Sequence, residues 1–88
     1  MEVKVSLIIP VYGVENFLER SVDSALAQTL EEKEIVLVDD GSPDACPVLC
    51  DRYAREYPGL VKVIHQGNQG LGMARNAGVA AARGEYLA

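Results

Sequence analysis

The sequence predicts an α/β fold in which three layers, α/β/α, surround a mostly parallel, Rossmann-like sheet. Two observations support this prediction. Apolar segments alternate with segments of helical spacing three times, which requires crossover connections and favours parallel strands. The unbroken apolar run 35–38 is typical of a strand covered on both faces. The predicted strands cover 4–11, 34–40 and 60–65, and the predicted helices cover 14–28, 46–57 and 71–83.

Each element has its own sequence signal. Pro10 lies near the end of the first strand, which we expect to continue into a loop there because proline cannot donate to a central ladder. The first two helices show apolar residues at spacings of three and four, and Pro58-Gly59 ends the second. The third helix is rich in Ala and Gly and can lie close against the sheet. Gly84 ends it, and 85–88 reads as the opening of a fourth strand.

The 88 residues amount to one small domain at most. Because the sequence stops just after a fourth strand opens, we interpret residues 1–88 as a fragment of a larger single domain. The net charge of −5 and pI of about 4.7 disfavour a nucleic-acid binder, which needs a basic face. No segment approaches a membrane span or a signal peptide. Cys46 and Cys50, four residues apart, are expected to be reduced core residues of a cytoplasmic protein.

Three loops follow the predicted strands and meet at the carboxyl edge of the sheet, where open parallel sheets bind ligands. They bring together Tyr12, the adjacent carboxylates Asp39 and Asp40, and the glycine-rich stretch 66–72. An aromatic ring, carboxylates and free N–H groups suit a nucleotide. Alternatives remain for each part. Tyr12 could cap the core, one Asp could cap the turn through Ser42 or a backbone N–H, and Gly67 and Gly72 could form a plain turn with positive φ.

Other candidate residues carry weaker signals. Arg75 and Asn76 begin the third helix beside the glycine loop, although an exposed arginine is usually only solvated. His65 has no obvious partner and is expected to be structural rather than catalytic. The dinucleotide loop G-x-G-x-x-G does not follow the first strand, where PVYGVEN stands, and the phosphate loop G-x-x-x-x-G-K-[ST] is absent.

Taken together, three segments resemble the opening of the inverting family-2 glycosyltransferases of the GT-A fold. They are VSLIIPVYGVENFLERSVDSALAQTL, EIVLVDDGSPD and NQGLGMARNAGVAAARGEYLA, in the family's order and spacing. The resemblance implies that the chain is the N-terminal nucleotide-sugar-binding part of a GT-A domain. It also implies a nucleotide site whose residues surround a uracil base, its ribose and the adjoining wall. These residues are Pro10, Val11 and Tyr12 at the uracil, Asp40 at the base edge, Asp39 at the ribose side or the loop, and Asn68, Gly70, Arg75 and Asn76 at the wall.

For the full-length protein, the resemblance implies transfer of a sugar from a nucleoside diphosphate sugar, generally UDP-linked, to a sugar or lipid-linked acceptor with inversion. It also implies a divalent ion, Mg or Mn, bound by a D-x-D motif that follows residues 84–86 in the family and is absent from this sequence. No catalytic or metal-binding residue is therefore predicted within 1–88, and the fragment is expected to be inactive. We expect a cytoplasmic location, at the membrane's cytoplasmic face if the full-length protein carries membrane helices.

Two other classes of protein share some of these features. A signalling receiver domain also places paired acidic residues at a strand end, but there the pair follows the first strand, whereas Asp39 and Asp40 follow the second. A non-catalytic nucleotide-binding or interaction module of the same fold stays open as an alternative. An open apolar sheet edge would further favour self-association.

Overall fold

A computed structural model describes residues 5–27 and 33–87. Strands and helices alternate through this part of the chain, as the apolar periodicity predicts. The elements are β1 (Val5–Val11), α1 (Glu15–Ala27), β2 (Lys33–Asp39), α2 (Cys46–Glu56), β3 (Val61–His65), α3 (Leu71–Ala81) and β4 (Glu85–Leu87). Each predicted element is present, and the ends that fall on described residues agree with the prediction to within two residues. The predicted ends at Lys4, Gln28 and Ala88 lie outside the described residues.

The four strands form one parallel sheet in the order β3-β2-β1-β4. β1 pairs with β2 along its whole length, and Pro10 lies opposite Val38. β4 pairs with β1 from Val5 to Leu7. Backbone groups along a strand point alternately to its two sides, and the Val11 carbonyl oxygen points to the β2 side, where it accepts from the Asp40 N–H. The nitrogen of Pro10 therefore points away from β2, and the pairing with β2 continues through the proline without losing a hydrogen bond.

Two apolar clusters lie on opposite faces of the sheet. On one face, α1 and α2 cover Val11, Ile35, Leu37 and Val61; the helices contribute Leu18, Val22 and Ala25 from α1 and Cys46, Cys50 and Tyr53 from α2. On the other face, α3 covers Ile8, Val36 and Val38. The predicted three-layer α/β/α arrangement is therefore confirmed.

Both cysteines are fully buried and unpaired in the first cluster, as expected of core residues. Burial raises the pKa of the Cys50 thiol to about 12, so this thiol is neutral and unreactive near neutral pH. No helix in the described part of the chain is long and apolar enough to cross a membrane.

Polar contacts fix the ends of the sheet. Lys33, which is buried, donates from Nζ to the carbonyl oxygens of Ala25 (2.8 Å) and Leu26 (3.0 Å) and so caps the end of α1. The buried Glu34 carboxylate accepts from Ser6 Oγ (2.5 Å) and from the backbone N–H of Arg83 (2.6 Å). These contacts hold the connection between α3 and β4 against the amino-terminal end of the sheet and leave the carboxyl end free for a site.

Candidate functional site

The loops that follow β1, β2 and β3 enclose a cleft of about 440 Å³ at the carboxyl edge of the sheet. This volume is within the usual range for pockets that bind small molecules. The lining residues come from all three loops and from the first turns of α3. They are Pro10, Val11, Tyr12, Val14, Asp40, Asn68, Gly70 and Ala74.

Tyr12 stands at the mouth of the cleft. Its neighbour Val11 is fully buried in the core, whereas Tyr12 is 52% exposed. The main chain is fixed directly below the ring, because the Asp40 N–H donates to the Val11 carbonyl oxygen (3.0 Å). Val11 fills the core position at this end of the strand, and about half of the Tyr12 side chain is left in solvent. Tyr12 instead offers an aromatic face to whatever enters the cleft.

Asp40 orders the glycine loop that forms the opposite wall. Its Oδ1 accepts from Gln66 Nε2 (2.9 Å) and from the Gln69 N–H (2.9 Å), and its Oδ2 accepts from the Gly70 N–H (3.0 Å). The bond from Gln66, with those from the two backbone groups, holds the pKa of Asp40 below its usual range, so it is ionised at neutral pH. An ionised carboxylate accepts about four hydrogen bonds, and these contacts use three. Oδ2 therefore retains acceptor capacity beside the cleft.

The glycine loop also passes very close to the turn after β2. Gly41 has φ +72°, and a Cβ added there would lie 2.9 Å from the backbone nitrogen of Asn68. A side chain would thus be strained by the backbone conformation and would push the two loops apart. Gly41 is needed for this close approach.

Asp39, the neighbour of Asp40, does not line the cleft. Its Oδ1 accepts from the Ser42 N–H (2.9 Å), and its Oδ2 lies 2.7 Å from His65 Nδ1. Asp39 thus supports the loop, which is one of the two roles that the resemblance implies for it. Its bond from the Ser42 N–H caps the turn after β2, as one of the alternatives for this pair predicts. The expectation that His65 has no obvious partner is wrong: its Nε2 also lies 2.7 Å from Asp51 Oδ1.

Asp44 is a second organising residue, and sequence reasoning did not single it out. It accepts from Ser42 Oγ (2.5 Å), from the Cys46 N–H at the start of α2 (3.0 Å) and from the Glu15 N–H at the start of α1 (3.1 Å). The Ser42 and Cys46 bonds hold the pKa of Asp44 far below its usual range. Its position two residues before α2 was the available signal, since Asp is common at helix starts.

Ser42 connects Asp44 to the loop that carries Tyr12. Its Oγ accepts from the Gly13 N–H (2.9 Å) while donating to Asp44. The turn after β2 therefore holds the loop after β1 in place. Val14 and Ala74 also line the cleft and were not predicted. Val14 is an apolar residue just before a helix, and Ala74 is a small residue in the first turn of a helix. Both features are common in proteins, so neither residue carried a distinctive signal.

Arg75 and Asn76 are exposed in the first turns of α3 and do not line the cleft. Their assignment to the nucleotide wall stays a prediction. The interpretation of Gly67 and Gly72 as glycines with positive φ is wrong. The positive φ belongs to Gly70 (+93°), which stands just before α3 and turns the chain into the helix.

The described residues do not suit a bound metal ion. No group of three or more His, Cys, Asp or Glu residues that could hold one occurs in 5–27 or 33–87. The carboxylates at the rim, Asp39, Asp40 and Asp44, already accept hydrogen bonds inside the protein. We therefore derive no chemical step through a metal from these side chains.

The family model for glycosyl transferase family 2 matches residues 6–88. The chain belongs to this family. It is 49% identical over 83 residues to the glycosyltransferase EpsJ of Bacillus subtilis, and the match covers 94% of this chain and 24% of EpsJ. The family and the GT-A fold predicted from the sequence are both confirmed.

Solved structures agree. The S. aureus TarS 1-349 structure in complex with UDP-GlcNAc superposes with a TM-score of 0.83 at 31% identity, over 96% of this chain and 25% of that one. The mannosyltransferase PcManGT of Pyrobaculum calidifontis, in complex with GDP-Man and Mn²⁺, gives a TM-score of 0.81 at 26% identity, over 93% and 25%. The chain thus spans about a quarter of the length of each of these three proteins.

Proposed function

We propose that this chain is the nucleotide-binding part of an enzyme that transfers a sugar from a nucleoside diphosphate sugar to an acceptor hydroxyl, with inversion at the anomeric carbon. The cleft supports this proposal most directly. An exposed aromatic ring and an ionised carboxylate with remaining acceptor capacity line the same cleft, and the carboxylate holds the glycine loop in place through two backbone N–H groups. Within the proposal, Tyr12 stacks on the base, and Asp40 accepts from a base N–H or a ribose hydroxyl.

We propose UDP as the nucleotide carrier. The uracil ring has one N–H between two carbonyl groups, so a single acceptor such as Asp40 Oδ2 suits it. Guanine would present two neighbouring donors to the same carboxylate. The solved relatives include one complex with UDP-GlcNAc and one with GDP-Man, so the comparison of the two nucleotides is the informative one.

The groups that carry out the sugar transfer are not among the residues proposed here to bind the nucleotide. We place the general base, the ligands of a divalent ion and the acceptor-binding surface in parts of the full-length protein other than the described residues. A divalent ion, when bound there, would neutralise the departing diphosphate. The residues of this chain bind and orient the nucleotide, and by themselves they should not transfer sugar. Detectable sugar transfer by the 88-residue chain would contradict this statement.

The remaining parts of the proposal are the setting and the partners. We propose a sugar or lipid-linked acceptor in polysaccharide biosynthesis and a cytoplasmic location. Copies of the chain would associate through the outer edges of β3 and β4, which have one neighbouring strand each in the described sheet. The alternative is a nucleotide-binding or interaction module of the same fold without catalysis. The two are distinguished by whether the full-length protein transfers sugar.

Replacement of Tyr12 tests the site. Tyr12→Ala should weaken UDP binding about 5- to 30-fold, because base–aromatic stacking contributes roughly 1–2 kcal/mol. The matched control is Phe17→Ala, which removes an aromatic ring of similar exposure (60%) from α1 without touching the cleft. Affinities would be measured by NMR titration of the isotopically labelled chain with UDP and, separately, with GDP.

The expected shifts are confined to residues 10–14, 39–42 and 66–76 and appear with UDP at lower concentrations than with GDP. Equal losses of affinity in Tyr12→Ala and Phe17→Ala would show that the ring at the cleft does not contact the base. Absence of binding in a well-folded sample would refute a preformed nucleotide site in this chain.

A further inference from the structure

His65 lies between two carboxylates at the carboxyl edge of the sheet. Its Nδ1 is 2.7 Å from Asp39 Oδ2, and its Nε2 is 2.7 Å from Asp51 Oδ1. A neutral imidazole has only one N–H, so its other nitrogen would direct a lone pair at a carboxylate oxygen. Both contacts are satisfied together only by the imidazolium, which donates from both nitrogens. The geometry therefore requires a charged histidine.

The two carboxylates differ in their access to water. The Asp39 side chain is 5% exposed, whereas that of Asp51, on α2, is 54% exposed. If His65 loses its proton, Asp51 can turn to solvent at little cost. Asp39 cannot leave, and a buried carboxylate without a compensating charge is costly. The state of His65 therefore acts mainly on Asp39.

Asp39 is connected to both walls of the cleft. Its Oδ1 holds the Ser42 N–H, and Ser42 Oγ holds the Gly13 N–H, next to Tyr12. Its carbonyl oxygen accepts from the Gln66 N–H (2.9 Å), at the start of the glycine loop. A change at Asp39 thus reaches the aromatic wall through two hydrogen bonds and the glycine wall through one.

We propose that His65 is a positioning residue of the nucleotide cleft. As an imidazolium it holds Asp39, and through Asp39 and Ser42 it holds the loop that presents Tyr12, so nucleotide affinity falls when His65 is deprotonated. This inference rests on the proposed nucleotide binding. His65 itself does not line the cleft and touches no reacting atom.

The direction of the pH dependence follows from the groups that face His65. Asp51 approaches from α2 and Asp39 from β2, and their hydrogen bonds, that of Asp51 most strongly, raise the pKa of His65 above 6.5. Cys50, beside Asp39, has its pKa raised to about 12 by burial and stays neutral. The stabilisation that the His65 imidazolium gives to the folded state is therefore complete below the unfolded pKa of about 6.5. It is lost as pH rises through the higher pKa that His65 has in the folded state.

The test has one part that needs no nucleotide. NMR of the labelled chain would follow the His65 ring and the Ser42 and Gly13 amides as the pH is raised. The amides should titrate with the same midpoint as the ring. In Asp51→Asn the midpoint should move to lower pH, since one carboxylate partner is lost. Amides that stay unchanged while the ring titrates would overturn the proposed connection.

The second part measures UDP affinity at one pH below and one pH above the midpoint found for the His65 ring in the first part. The UDP affinity of the wild type should fall about 3- to 10-fold at the higher pH. This change corresponds to a shift of roughly half to one unit in the His65 pKa when UDP binds. His65→Asn keeps an amide donor near the Nδ1 position but never carries a charge. Because UDP titrates identically with both proteins, the difference between them isolates His65.

Two results would contradict the inference in distinguishable ways. If the wild type and His65→Asn show the same pH dependence of UDP binding, His65 does not position the cleft, while the nucleotide site stands. If UDP fails to bind at any pH, the nucleotide site itself is refuted and the inference with it. Urea unfolding of each variant at both pH values would verify that the proteins compared are folded.

Discussion

Gly78 sets how closely α3 approaches the sheet, and its replacement by alanine tests that contact. A Cβ at this position would lie 2.4 Å from Ile8 Cγ2, 3.2 Å from Val38 Cγ2 and 3.4 Å from Ile8 Cγ1. Carbon atoms in contact prefer about 3.5–4.0 Å. Rotation of Ile8 offers little relief, because it is β-branched and buried and would bring another atom to the same place. The helix must therefore move outward.

The expected magnitude combines two opposing effects. Overpacking a core costs about 1–3 kcal/mol, whereas alanine in place of glycine inside a helix stabilises by about 1 kcal/mol. Because one contact is more than an ångström too short, we expect the upper part of the cost and a net destabilisation of about 1–2 kcal/mol. The outward shift would also displace Ala74, which lines the cleft on the same helix.

Gly72 on the same helix provides the matched control. A Cβ there meets nothing within 4 Å, and its φ is not positive, so Gly72→Ala should stabilise by about 0.5–1 kcal/mol. Urea unfolding of both variants would give the two free energies, and UDP titration would show whether Gly78→Ala alone weakens binding. A Gly78→Ala protein as stable as Gly72→Ala would refute the close contact and the resulting account of how the cleft is shaped.

Two further predictions concern pH and association. Burial raises the pKa of Glu34, but the bonds from Ser6 and Arg83 and the charge of Lys62 outweigh it, and the pKa is lowered. The stabilisation that the Glu34 carboxylate gives to the folded state is complete above the unfolded pKa of about 4.5. It is lost as pH falls through the lower pKa that Glu34 has in the folded state. Glu34→Gln should therefore unfold with a shallower dependence on pH below about 4.5 than the wild type, and an unchanged slope would exclude Glu34 as a contributor. Association through the sheet edges should appear in sedimentation as dimers at high concentration, and a monomer throughout would contradict it.

The fold was predictable because each element satisfies its own local rule. The apolar run 35–38 lies in a strand covered on both faces, and the small residues of α3 allow it to lie against Ile8 and Val38. Pro10 shows where the local rule was insufficient. Proline interrupts strand pairing only with the neighbour that its nitrogen faces, and which side that is depends on the register of the assembled sheet.

The candidate site was predictable at the level of loops but not of individual contacts. Six of the nine residues assigned to it line the cleft, because parallel strands end at one edge: Pro10, Val11, Tyr12, Asp40, Asn68 and Gly70. The role of His65 and the contact of Asp44 with Glu15 depend on partners distant in the sequence, which composition and spacing do not specify. The position of the positive φ, at Gly70 and not at Gly67 or Gly72, is likewise decided by how the loop enters α3.

Strand alternation explains how two adjacent carboxylates can both be accommodated. Successive side chains of a strand point to opposite faces. Ile35 and Leu37 pack on the face of α1 and α2, and Val36 and Val38 pack on the face of α3. Continued past the strand, the same alternation sends Asp39 towards α2 and Asp40 towards the loop before α3. Each carboxylate then has its own donors, so the two charges do not compete for one set of partners.

The same alternation accounts for the partner of Asp39. Val61 and Val63 of β3 pack on the face of α1 and α2, so His65, two residues further along, should project from that face as well. The register then places His65 directly beside Asp39. The alternation of side chains along β3 therefore determines the face of the sheet from which His65 projects. Only the register between β3 and β2 determines which carboxylate the histidine contacts. A one-residue slip of β3 would send His65 to the opposite face and leave Asp39 buried without its cation, so the ion pair also stabilises the observed register.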